Sequence, residues 1–176
     1  MSCLTLSKGR KLACKTGTGG LKAVSFAVWS NATIMTSTNG EIATIPSGIT
    51  SFYRYELKNT GNQYTEEIVS DEETRNTNYN GTLALVLQKL DLDTRNEVKM
   101  LAMGEVVVML EDNNGNVFVI GNGNGANLTG GSFVTGGARS DMNGSNLTFT
   151  TSENEPYLRL ASGTIAAYKA KVVEGL

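Results

Sequence analysis

The groups that could do chemistry in this 176-residue chain are carboxylates, amides and glycines, because histidine is absent altogether. Its absence removes the usual general base, the Ser-His and Cys-His nucleophile pairs and the commonest metal ligand. Carboxylates or lysine remain as the route to catalysis, and the reading is against an enzyme. In "EDNNGNVF", Asp112, Asn114 and Asn116 alternate as oxygen ligands would. The glycine falls one position early for an EF-hand loop and no glutamate closes it. Asn-Asn-Gly between two β-branched runs is better suited to a tight hairpin turn.

The glycine-rich "GNGNGANLTGGS" invites a phosphate-loop reading and fails it. It has no third glycine at dinucleotide spacing, no lysine at the Walker position, and no following helix to supply an N-terminus. Cys3 and Cys14 are too few for a zinc site without histidine. They read either as reduced thiols or as a disulfide pinning the N-terminal segment. The acidic set Glu66, Glu67, Asp71, Glu72 and Glu73 is a solvated charge run or a partner for nearby Arg54, Lys58 and Arg75. No cofactor, metal or small-molecule substrate is expected from these residues.

The elements that would position such groups are mostly short strands. Forty per cent apolar composition, with 20 glycines against two prolines, fits a globular chain with many turns. A net charge of −2 argues against a basic DNA-binding surface. No stretch approaches the roughly 18–20 apolar residues of a membrane helix, and residues 1–20 lack the apolar core of a secretory signal. Those twenty residues, ending in "TGTGG", read as an arm, and residues 21–176 as one domain.

"LKAVSFAVWS" alternates as a strand, with Val24 and Phe26 opposite Ala23, Ser25 and Ala27. "SFYRYEL" and "QYTEEIV" around "KNTGN" read as a hairpin arm over about 52–80, with "SDEETRNTNYN" a polar loop. "GTLALVLQKL" points Leu83, Leu85 and Leu87 at a core. "DLDTRNEVKMLAMG" predicts a helix over about 92–103, capped by Asp91 or Asp93. "EVVVMLEDNNGNVFVIG" is a hairpin, and Leu147 and Phe149 share a strand face further on, while the tail "GTIAAYKAKVVEGL" suits strand or helix. About nine or ten short strands with one flanking helix describe a mainly β, antiparallel sandwich or barrel.

The order of these pieces resembles the tail-tube and tail-ring structural proteins of tailed bacteriophages that infect Bacteroidetes, including the crAss-like group. The resemblance runs through "FYRYELKNTGNQYTEEI", and from "NGTLALVLQKLD" through "LEDNNGNVFVIG" and "TGGSFVTGGARSDMNG" to "LTFT" and "ENEP". Lys89, Leu90, Asp91, Gly130, Gly131, Thr135, Gly136, Ala138, Asp141, Gly144, Glu155 and Pro156 carry it, and Arg139, Ser140 and Ser145 depart from it.

The resemblance implies a non-enzymatic virion protein, assembled in the host bacterial cytoplasm. It would form a closed ring in the tail or neck, a hexamer by preference and a dodecamer otherwise, around a lumen that passes the genome. Neighbouring tail or portal proteins would be its other partners; a membrane would not. A net charge of −2 suits a channel through which DNA slides. The expected subunit contacts are the N-terminal arm and the 52–80 hairpin. Tyr53, Tyr55 and Tyr64 would be anchors there, with Arg54, Glu66 and Glu67 among them. Gly130, Gly131, Gly136, Asp141 and Gly144 are the expected fold-determining turn residues. The rival reading is a β-sandwich binding module, an adhesin or carbohydrate-binding domain.

Overall fold

The computed structural model describes residues 9–12, 15–58 and 60–175; Cys3 and Cys14 lie outside them. The chain forms two sheets packed face to face. Its strands are β1 (Leu21–Val28), β2 (Ser37–Thr38), β3 (Glu41–Ile42), β4 (Phe52–Glu56), β5 (Gln63–Asp71), β6 (Asn76–Gln88), β7 (Val106–Asp112), β8 (Val117–Ile120), β9 (Asn127–Val134), β10 (Gly144–Glu153), β11 (Leu158–Leu160) and β12 (Val172–Glu174). Helix α1 (Leu92–Leu101) follows β6, and a six-residue helical turn, α2 (Ile165–Ala170), precedes β12. The ambiguous tail thus divides between helix and strand.

Sheet A has the order β12-β4-β1-β7-β8-β11-β3-β2, and sheet B the order β5-β6-β10-β9. Pairing is antiparallel except at β11–β3 and β12–β4. The expected sandwich is present, whereas the barrel alternative is not realised: both sheets end in open edge strands instead of closing on themselves.

Two apolar layers hold the body. Val24, Phe26, Val108 and Leu110 of sheet A meet Leu83, Leu85, Leu147 and Phe149 of sheet B, with Val98 of α1 closing one side. Phe26 and Phe149 stack with ring centroids 5.1 Å apart. On the far face of sheet A, Ala27, Phe52, Val107, Met109, Val119 and Leu160 are covered by Met35, Ile49 and Tyr168. The unbroken run Val106–Leu110 in β7 is what a strand buried on both faces requires.

The arm differs from the sequence expectation in its partners. Phe52–Glu56 and Gln63–Asp71 do not form a hairpin together: β4 pairs with β1 in sheet A, and β5 pairs with β6 in sheet B. The segment between them crosses from one sheet to the other, where Asn62 donates to the Lys58 carbonyl (2.6 Å) and accepts from the Val86 amide (2.7 Å). Phe52 and Tyr55 explain the choice, because each faces a different apolar layer and both are satisfied only inside sheet A. The true hairpin is β5–β6, and the polar run at 72–75 is its turn. Ile68–Tyr79–Glu153 is its last three-stranded row; residues 69–78 continue as a two-stranded tip.

Candidate functional site

The six residues expected at a subunit contact are placed unevenly. Tyr53 is exposed, and so is Glu67 on the arm. Tyr55 turns inward and packs edge-on against Phe26 at 5.5 Å. Burial first, and the Glu97 charge second, push its phenol up to about 12. Arg54 is committed within the subunit: its guanidinium lies 3.3 Å from Glu111, 3.0 Å from Glu174 and 3.1 Å from Glu56. Burial opposes its charge, and the Glu111 and Glu56 carboxylates outweigh that, so its pKa rises. The Tyr168 hydroxyl donates to Glu111 at 3.0 Å and shares a 2.8 Å bond with Ser25. This network ties β12, β4, β1, β7 and α2 together. Sequence reasoning missed it, though a glutamate ending the apolar run "VVVML" and a serine inside "AVSFAV" were its signals.

Tyr64 and Glu66 belong to a cleft of about 280 Å³ between the ends of the two sheets, with Asn122, Glu153, Glu155 and Tyr157 also on its walls. Tyr64 donates to Glu66 at 2.7 Å. Burial, reinforced by that bond and by the charge of Glu66, drives its phenol well above the ordinary tyrosine range. Glu66 also accepts from the Tyr157 amide at 3.1 Å. Glu153 accepts from the amides of Gly123 and Asn124, both at 3.1 Å. Its carboxyl is raised by burial, which outweighs those two bonds, and repulsion from Glu155 and Glu66 adds to the rise. Both glutamates clasp crossover segments between the sheets. Among the described residues no group of three or more Cys, Asp or Glu could hold a metal ion.

The Asp112 loop is a turn. Asp112 accepts from the amides of Asn114 (3.0 Å) and Asn116 (2.7 Å) and from both side-chain amides. These bonds outweigh its burial and hold its carboxyl below the usual range. Asn113 and Asn114 in turn grip the incoming chain at Thr18, Gly19 and Gly20.

The glycines expected at turns divide. Gly136 lies in the 135–143 corner with φ +74, a region that disfavours side chains. Asp141 braces the same corner by accepting from the amides of Ala138 (2.7 Å) and Gly137 (2.9 Å), which lower its pKa. Gly130 and Gly131 instead sit inside β9, and Gly144 opens β10, so these three are strand residues. At Gly144 a Cβ would run into the Leu87 carbonyl of β6. Helix α1 ends two residues short of the expected 103. Asp91 holds its N-cap position without a side-chain bond to the helix amides.

What remains are surfaces. The outer face of sheet B presents Thr65, Asn80, Thr82, Gln88, Asn146, Thr148, Thr150 and Ser152, with Ala84 and Val86 between them, placed by register opposite the inward Leu and Phe residues. None of the four strands of sheet B contains a lysine or arginine, although the chain has 15. Its edges, β5 and β9, are both open among the described residues. Along β9 runs a groove of about 440 Å³ against α1, lined by Val98, Ala102, Leu128, Phe133 and Leu147, with Arg95 and Lys99 at its rim.

The fold and these surfaces define a two-sheet β protein with a projecting arm. No protein-family model, no curated protein and no solved structure matches the chain. No described helix is long and apolar enough to cross a membrane.

Proposed function

We propose that this chain is a non-enzymatic structural subunit of a phage virion that closes into a ring in the tail or neck. In this reading sheet B is the wall of the genome channel. The observation that carries it is the outer face of sheet B: mostly hydroxyls and amides, interrupted by Ala84 and Val86, without a single lysine or arginine across four strands. Lysine and arginine bind DNA by neutralising phosphates and releasing counterions. A wettable face lacking them lets a polyanion move past without sticking. The two open edges of sheet B support the same reading, since β5 and β9 are different surfaces at opposite sides. Contacts between unlike surfaces of identical subunits close into rings when the rotation permits. They also hide edges that would otherwise invite aggregation.

The cleft at Glu66, Glu153 and Tyr157 supports a second reading, a carbohydrate-binding module. Its carboxylates and amides beside an exposed tyrosine suit sugar hydroxyls and a pyranose face. Negative-stain microscopy with glycan binding on the same preparation separates the two. Rings or short tubes without glycan affinity are the expected result. A monomer at high concentration that binds glycans overturns the ring.

A further inference from the structure

We infer that the tip of the β5–β6 arm of one copy seats in the groove between α1 and β9 of the next copy. The inference rests on the ring reading and names the contact that would build it. Both halves of the contact are uncovered among the described residues. At the arm, Ile68 is 65% exposed and Val69 43%. At the groove, Phe133 is 56% exposed, beside Leu128 and the backbone of Gly130 and Gly131. A Cβ at Gly130 would meet nothing closer than Thr148, at 3.8 Å. Gly131 is tighter, since a Cβ there would come within 3.0 Å of the Asn146 carbonyl and 3.2 Å of Leu147. Bareness at Gly130 alone therefore reflects no internal crowding, and the β9 edge beside it stays open to an incoming strand.

Charge selects the occupant. The arm carries Glu67, Asp71, Glu72 and Glu73 against Arg75 alone, while the groove rim carries Arg95 and Lys99. Helix α1 segregates its charges: Asp93 and Glu97 line a separate cleft toward β4 and β12, leaving the β9 side basic. An acidic, apolar-centred ribbon thus matches a basic-rimmed, apolar groove on the same chain.

Geometry makes the contact intermolecular. β5 and β9 are opposite edges of sheet B. The tip extends beyond the Tyr79–Glu153 row, whereas Leu147 and Gly131 lie toward the other end, where Gln88 pairs with Gly144. A chain cannot fill its own groove, so each copy offers one arm forward and one groove behind.

Charge reversal tests this on the full-length protein. One variant carries Glu67→Lys, Glu72→Lys and Glu73→Lys; Asp71 is kept, because it accepts from the Glu73 amide in the turn. The other carries Arg95→Glu and Lys99→Glu. Sedimentation velocity at low salt should show each variant alone needing at least tenfold more protein than the parent to assemble. An equimolar mixture should recover parental assembly, because each reversed arm meets a reversed groove and each native arm a native groove. Matching circular dichroism melts show that both variants fold, and Ile68→Ser should weaken assembly without any charge change. If the parent assembles but the mixture of folded variants does not recover, the arm–groove contact is overturned and the ring reading stands. A parent that stays monomeric at every concentration overturns both.

Discussion

In β7 every residue from Val106 to Leu110 is buried, whereas in β10 burial alternates from Ser145 to Thr151. The contrast extends to whole sheets. The centre of sheet A is sandwiched between sheet B and a second layer built from the segments flanking β2 and β3 and from α2, so both faces of β1 and β7 are interior. Sheet B buries one face and leaves the other largely polar. Sheet A is therefore the rigid centre of the molecule, and sheet B is the surface that can be specialised without rebuilding a core. The arm belongs to sheet B, as does the groove strand β9, and both halves of the proposed contact draw on the sheet with spare surface.

The comparison breaks most readily at its apolar layers. Phe149→Ala, between the sheets, should cost about 3–5 kcal/mol, the usual range for a buried phenylalanine. Phe52→Ala should cost as much, because Phe52 is fully buried beneath Tyr168, with ring centroids 5.2 Å apart. Denaturant melts of both variants check this. A small loss at Phe52 beside a large one at Phe149 would make the second layer a loose cover, leaving sheet A with one true core face.

A smaller effect belongs to the corner of sheet B, where local chemistry takes the place of burial. Gly136→Ala forces a side chain into the left-handed region, which costs roughly 1–2 kcal/mol, and its Cβ would approach that of Asp141 to 2.8 Å. The melt should drop by that amount with the sheets otherwise intact. A variant as stable as the parent would show that the 135–143 corner relaxes freely and does not fix how β10 returns from β9.

Much of this arrangement was legible in the sequence, and the exceptions have physical causes. Leu83, Leu85 and Leu87 announced their strand and face by alternation, and "NNG" announced the β7–β8 turn, because both signals are local. The pairing of β4 with β1 was hidden, since "KNTGN" is good turn chemistry and only the long-range demands of Phe52 and Tyr55 send the strands to different sheets. The Arg54–Glu111–Tyr168 network was hidden for the same reason: its members lie 57 or more positions apart. Tyr55 and Tyr64 looked like free aromatics because a strand pattern states which residues share a face and not whether that face is covered. The absence of cations from sheet B was present in the sequence, but it becomes a property only when topology groups those four strands.

The clasp between the sheets gives the smallest and most specific test. Glu153 holds the β8–β9 crossover through two backbone amides, both donating to Oε1, and its carboxyl titrates above the ordinary glutamate value. Between those two values the folded chain binds the proton more tightly than the unfolded chain. Stability is accordingly greatest below the ordinary glutamate pKa and declines as pH rises through the raised one. Glu153→Gln keeps an oxygen for both amides and removes the charge that burial penalises. It should melt with the parent at acidic pH and slightly above it at neutral pH. The gain should be less than the roughly 2–4 °C that 1 kcal/mol moves a domain of this size. A melting point that falls at neutral pH would instead mean that the ionised carboxylate is what binds the crossover, and that charge, not shape, joins the specialised sheet to the rigid one.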